Sequence, residues 1–223
     1  MIYTVSTWLL PVLIAITFHE AAHAYVARLL GDDTASRLGR VSLNPLRHID
    51  PFGTILLPAL LLLARSPFLF GYAKPVPVNF RALRNPRIGM VFVAAAGPAM
   101  NIGLAIVAAL GFHLVAYLPV GAGQWVALNL RNALIINVIL AVFNLFPLPP
   151  LDGGRIAVGL LPNTLAIQLA RLERYGMMII IGLIIVLPLL GTQLGLDLSF
   201  VSRLISTLTN VLVEAILRLT GNK

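Results

Sequence analysis

The chain of 223 residues contains no cysteine. That absence excludes disulfides and every thiolate metal site, so any metal must be held by histidine, aspartate or glutamate. Charge is scarce too: charged residues make up 11% of the chain, and only eight are acidic. At a mean hydropathy of +0.94 the chain is too apolar for an ordinary soluble domain, and several stretches approach the length of a bilayer crossing. The expectation is one membrane domain over residues 1–223, with no room for a large soluble domain beside it. The net charge of +8 comes from basic residues that punctuate apolar spans, with no aromatic-basic platform. This pattern fits orientation by the positive-inside rule and contact with anionic lipid head groups, not nucleic-acid binding. The opening MIYTVSTWLLPVLIAITFHE lacks a basic n-region and a small-residue cleavage site, so it does not read as a removable signal peptide.

What is present reads as an all-α polytopic membrane protein with about six hydrophobic segments. The first covers residues 5–30 and stops at Gly31, a glycine placed where helices end. The run from Pro51 to Ala64 is short and flanked by Pro, Gly and Arg, which suits a re-entrant segment better than a full crossing. Residues 71–88 carry four basic residues and the proline-spaced AKPVPVNF. They predict a short extended or edge-strand element near 71–80. Further spans are expected over 89–118, 125–146 and 176–190, with a last apolar stretch over 197–220 and a short helix after Gly154. The catalytic core falls at about 5–160 and the C-terminal helices at about 164–220. Placing 31–50, 71–88, 155–174 and the C-terminal Arg218 and Lys223 inside, and the N-terminus and 119–124 outside, gives a consistent topology with Arg131 as a mild exception.

The sharpest local feature is His19-Glu20-Ala21-Ala22-His23. On a helix, i and i+4 share a face, so both imidazoles can reach one metal. Glu20 lies about 100° round the helix from His19. It can reach water at the metal without ligating, take its proton and pass it to a leaving amine. His and Glu are costly inside an apolar span and need a partner or a metal there.

Two histidines leave zinc short of a third protein ligand. Asp32, Asp33 and Asp50 lie in basic loops, Glu173 neighbours Arg171 and Arg174, and Asp197 and Glu214 lie in the last stretch. Asp152 remains, at the inner end of the fourth span and at the depth of His19 and His23. Its competing reading is a helix N-cap or turn aspartate. His113 lies at the opposite end of its span, and His48 reads as a locally bonded loop histidine.

FHEAAH paired with NLFPLPPLDGGR resembles the site-2 protease family of intramembrane metalloproteases. SLNPLRHIDPFGTILLP, GYAKPVPVN and AGPAMN resemble its compact bacterial and archaeal members, and the resemblance covers residues 10–160. It implies that His19, His23 and Asp152 bind one Zn2+ and that Glu20 is the general base. It also implies that the substrate is a membrane-spanning protein. The family's N-x-x-P-x-x-x-x-D-G pattern has its asparagine near the zinc. The matching residue is Asn144, whose amide could bond the substrate backbone or the oxyanion. Asn101 of GPAMN is a weaker candidate for that role, weighed evenly against helix–helix hydrogen bonding. Larger relatives carry PDZ or CBS domains for which this sequence has no room. The expectation is therefore a multi-pass protease of a prokaryotic cell membrane, its active site toward the cytoplasm. The alternatives are a metal transporter, which would spread its acids through several spans, and a catalytically silent scaffold, which would not need an intact HEAAH.

Overall fold

A computed structural model describes residues 2–48, 50–56, 60 and 74–222. The long helices are α1 (Ile2–Leu29), α3 (Pro86–Val115), α4 (Val120–Asn144), α7 (Glu173–Leu194) and α8 (Phe200–Leu219). Each is long and apolar enough to cross a membrane. Shorter helices are α2 (Thr34–Arg37), α5 (Asp152–Leu160) and α6 (Asn163–Arg171). No strand occurs among the described residues.

α1, α3 and α4 pack on one another, and α8 covers α4. The packing uses small side chains: Ala15, Ala24 and Ala27 of α1 and Ala105 and Ala109 of α3 are fully buried. Small residues let helix backbones approach closely where lipid removes the ordinary hydrophobic drive. Pro11 lies inside α1. It has no N–H to offer the carbonyl of Thr7 one turn back, and an unsatisfied carbonyl in hydrocarbon costs several kcal/mol. Asn132 of α4 supplies the donor: its Nδ2–H reaches Thr7 O at 2.9 Å. The proline thus helps fix where α1 sits against α4.

α1 stops as the sequence predicts. Gly31 adopts φ +112°, and the Asp32 N–H returns to Ala27 O at 2.9 Å, a closure that needs a left-handed residue. α3 starts earlier than its apolar run suggests, because Asn85 caps it, accepting the Ile88 N–H at 3.3 Å, and Pro86 occupies the first turn. The cost of carrying Arg87 into the helix is met by the α5–α6 link: the guanidinium donates to Gly159 O (2.8 Å), to Asn163 Oδ1 (2.8 Å) and to Leu161 O.

Two expectations are corrected. Residues 74–79 form connecting chain, not an edge strand; residues 71–73 lie outside the described set. Pro75 and Pro77 cannot donate to a ladder, the Lys74 N–H goes to His48 O at 3.0 Å, and side chains take several of the other backbone groups. Arg40 donates to Lys74 O at 2.6 Å and Pro75 O at 3.4 Å, and Asp32 Oδ2 accepts the Asn79 N–H at 2.6 Å. Burial opposes ionisation of Asp32, but its bonds from Thr34 and Asn79 outweigh it and hold the carboxyl below the usual range. The charged acceptor that pins this segment therefore persists at any pH above that of an ordinary carboxylate.

The second correction concerns the C-terminus. His113, near the end of α3, donates from Nε2 to Thr220 O at 2.6 Å, and Asn222 donates to Ala109 O at 2.9 Å. Val201, at the start of α8, faces Phe143, Phe146 and Leu151. α8 thus runs antiparallel to α4 and ends beside the far end of α3, opposite to the placement of Arg218 with the other basic stretches; Lys223 lies outside the described residues. Gly176 of α7 lies against Pro149 and Pro150, so α7 and α8 both begin at the Asp152 end of the bundle. Two terminal charges are a weak topogenic signal against a packed apolar face, here Ile216 against Ala105, Ala108, Ala109 and Leu134. Of the segment read as re-entrant, Pro51–Leu56 forms a short π-helix, while 57–59 and 61–64 lie outside the described residues.

Candidate metal centre

His19 and His23 lie one turn apart on α1, their rings edge to face with centroids 4.6 Å apart. Asp152 opens α5, at the end of the tight NLFPLPPL turn that follows α4. Gly153 makes that turn possible: a side chain there would collide with the carbonyls of Leu145 and Phe146. The three residues converge. His19 Nε2 and His23 Nε2 are 3.0 Å apart, and Asp152 Oδ2 lies 3.2 Å and 3.3 Å from them. All three side chains are buried.

The protons on these rings are assigned by the atoms behind them. His19 Nδ1 faces Asn101 Oδ1 at 2.6 Å, and His23 Nδ1 faces the carbonyl of Val93 at 2.7 Å. Both partners are acceptors, so both Nδ1 atoms carry hydrogen, and in the neutral rings that ligate a metal both Nε2 atoms present lone pairs. Asp152 Oδ2 is buried without a hydrogen-bond partner. Three lone-pair donors therefore point into one small space, an arrangement that is repulsive until a cation fills it. A tetrahedral ion with bonds of about 2.0–2.1 Å separates its ligands by about 3.3 Å, close to the three separations observed. The residues fit a metal.

Glu20 stands outside this trio. It is half-buried, and its Oε2 accepts the Val76 N–H at 2.8 Å. Because Pro75 and Pro77 flank Val76, that N–H is the one donor available in the tripeptide. It holds the carboxylate on the flank of α1 away from the ligand positions.

Among its curated relatives, the "Putative zinc metalloprotease YwhC" of Bacillus subtilis (strain 168) is 39% identical over 184 residues, covering 79% of this chain and 78% of that protein. The "Putative zinc metalloprotease Rip2" of Mycolicibacterium smegmatis is 30% identical over 185 residues, 82% of this chain and 67% of its own length. The model of peptidase family M50 matches residues 119–188. The chain belongs to peptidase family M50, the site-2 protease family. No solved structure matches it. The M50 match includes the turn that delivers Asp152, and the family consists of membrane metalloproteases that use zinc.

The remaining residues weighed from the sequence fall as follows in this M50 protein. Asn144 closes α4, half-buried, with its Nδ2–H donating to Leu140 O at 3.0 Å. Asn101 sits behind His19. It is fully buried, and its carboxamide is engaged by His19, by Ala15 O at 3.3 Å and by Asn137 Oδ1 at 2.8 Å. His48 bonds Ser42 O at 2.8 Å within its own loop, and His113 lies at the far end of α3. Sequence reasoning missed Gly97. A Cβ there would lie 2.5 Å from His19 Cε1 and 2.5 Å from His23 Nε2. A glycine in an apolar helix signals close packing but not the partner, which here is the pair of imidazoles.

Proposed function

We propose that this chain is an intramembrane zinc endopeptidase that hydrolyses a peptide bond of a membrane-spanning protein near the cytoplasmic side of a prokaryotic cell membrane. On this reading residues 1–223 act as one membrane-embedded domain, His19, His23 and Asp152 hold the zinc, and Glu20 is the general base. The observation that carries it is the convergence of three buried lone-pair donors at 3.0–3.3 Å, with one carboxylate held beside them.

Zinc bound there would supply Lewis acidity, lowering the pKa of a water and polarising the scissile carbonyl. Glu20 takes a proton from the attacking water and delivers it to the departing amine, so that one water is consumed and a carboxyl and an amino terminus are released. The Val76 N–H fixes the carboxylate during both transfers. The half-buried Asn144, at the mouth of the turn before Asp152, has a carboxamide oxygen and N–H suited to an extended substrate backbone. The basic side chains at this end of the bundle, Arg37, Arg47, Arg81 and Arg84 among them, support a cytoplasmic location by the positive-inside rule.

The test is cleavage in reconstituted vesicles of a protein with one transmembrane segment. Cuts are expected within or beside the apolar segment, lost on chelation and restored by zinc. Cleavage that survives chelation, or that falls only in soluble loops of the substrate, would sink the proposal.

A further inference from the structure

Asn137 of α4 is 1% exposed and lies in the middle of an apolar helix. Burying an amide in such a place is costly unless every polar atom is used. Here each is: Nδ2–H donates to Ala133 O at 2.9 Å in its own helix, and Oδ1 accepts the Asn101 Nδ2–H at 2.8 Å. Asn101, on α3, is 0% exposed and also donates to Ala15 O of α1 at 3.3 Å. Its own Oδ1 then takes the Nδ1–H of His19 at 2.6 Å. The result is an unbroken row of side-chain amides from α4 through α3 to the imidazole on α1.

The row has a direction. Because the Asn137 N–H is committed to Ala133, its oxygen must face Asn101. Asn101 must then turn its N–H side to Asn137 and Ala15, which leaves only its oxygen for His19. An oxygen there admits one tautomer, with hydrogen on Nδ1 and the lone pair on Nε2 toward Asp152 and His23. His23 obtains the same result from a backbone carbonyl, Val93 O, which cannot flip. His19 has a carboxamide instead, whose two ends are nearly isosteric. The acceptors beyond it decide which end faces the ring: the Asn137 oxygen at 2.8 Å and, at the longer 3.3 Å, the carbonyl of Ala15.

We infer that Asn137 is a positioning residue of the metal centre, acting through Asn101 to set the tautomer and orientation of His19. This rests on the reading of His19 as a zinc ligand. Partners one shell out from a metal typically change metal affinity about 10- to 100-fold when removed, and that is the effect expected of Asn137→Leu.

The experiment uses the full-length protein in detergent. Zinc affinity is measured by chelator competition, the d–d spectrum of the cobalt(II)-loaded form is recorded, and thermal unfolding is followed. Asn132→Leu is the control, since it removes another buried cross-helix bond, to Thr7 O at 2.9 Å, away from the site. Asn137→Leu is expected to weaken zinc about 10- to 100-fold and to alter the cobalt bands. Asn132→Leu is expected to lower the unfolding temperature and leave both readouts at wild type. Asn137→Asp, whose carboxyl oxygen still accepts the Asn101 N–H, is expected to retain zinc and the native spectrum even if the leucine variant does not fold. Wild-type affinity and spectrum in Asn137→Leu, or equal losses in both leucine variants, would overturn the inference, as would loss of zinc in Asn137→Asp. A His19→Ala protein that keeps the native cobalt spectrum would instead show that the ligand assignment is at fault.

Discussion

Replacing Glu20 by glutamine is expected to reduce peptide hydrolysis by about 10²- to 10⁴-fold, the range that a positioned general acid–base group contributes, without loss of zinc. Glutamine preserves the shape of the side chain, and its carbonyl oxygen can still accept the Val76 N–H that fixes Glu20 at 2.8 Å. What disappears is the capacity to take a proton from water. The substitution therefore separates proton transfer from local structure better than alanine does. Hydrolysis rates for a membrane substrate and zinc content, measured on the same preparation, check it. Substantial cleavage by a fully loaded glutamine variant would mean that another group is the base, and low zinc would mean that Glu20 belongs to the ligand set.

Gly97→Ala is expected to do comparable damage by another route. The new methyl would sit 2.5 Å from His19 Cε1 and 2.5 Å from His23 Nε2, well inside van der Waals contact. Rigid ring atoms cannot yield as the tip of a flexible side chain can. α3 cannot simply retreat, since Val93 packs with Ala27 and Leu83 and Asn101 is bonded to His19 and Ala15. The rings must rotate, and both ligand atoms leave the position that faces Asp152. Zinc affinity should fall by about 100-fold or more, since two ligands are disturbed at once, and activity should fall with it. Gly103→Ala, six residues along the same helix, meets nothing within 4 Å. It should leave zinc and activity unchanged, so the pair distinguishes obstruction of the site from a general effect on α3. Wild-type zinc affinity in Gly97→Ala would refute the packing described.

The parts of this molecule that could be read from its sequence are those whose chemistry is tied to fixed spacing or to scarcity. The His19–His23 pair needs only a helix. Asp152 could be reached by elimination because the chain has so few acids, and the resemblance to the site-2 proteases then singled it out. The long helices followed from apolar length, with ends shifted where local chemistry intervened, as at Asn85–Pro86.

The rest depends on which faces meet. The proline-spaced segment at 74–79 resembles an edge strand, yet several of its backbone groups are taken by Arg40, Asp32 and Glu20, side chains distant in sequence. Asn101 carried a signal, an amide in an apolar span, but its orientation toward His19 appears only once α3 is laid against α1. Asn129, Asn132 and Asn137 carried the same signal in α4, where polar side chains in a membrane helix call for partners. The direction of α8 was misread because two terminal charges were weighed without the apolar face that opposes them.

Zinc content is the most direct test of the central claim, that His19, His23 and Asp152 together hold a catalytic metal. Purified, full-length wild-type protein should contain one zinc per chain, and Asp152→Ala, folded and measured alongside it, should lose most of that zinc. Less than about half an equivalent in the wild type, or a full equivalent retained in Asp152→Ala, would contradict the account.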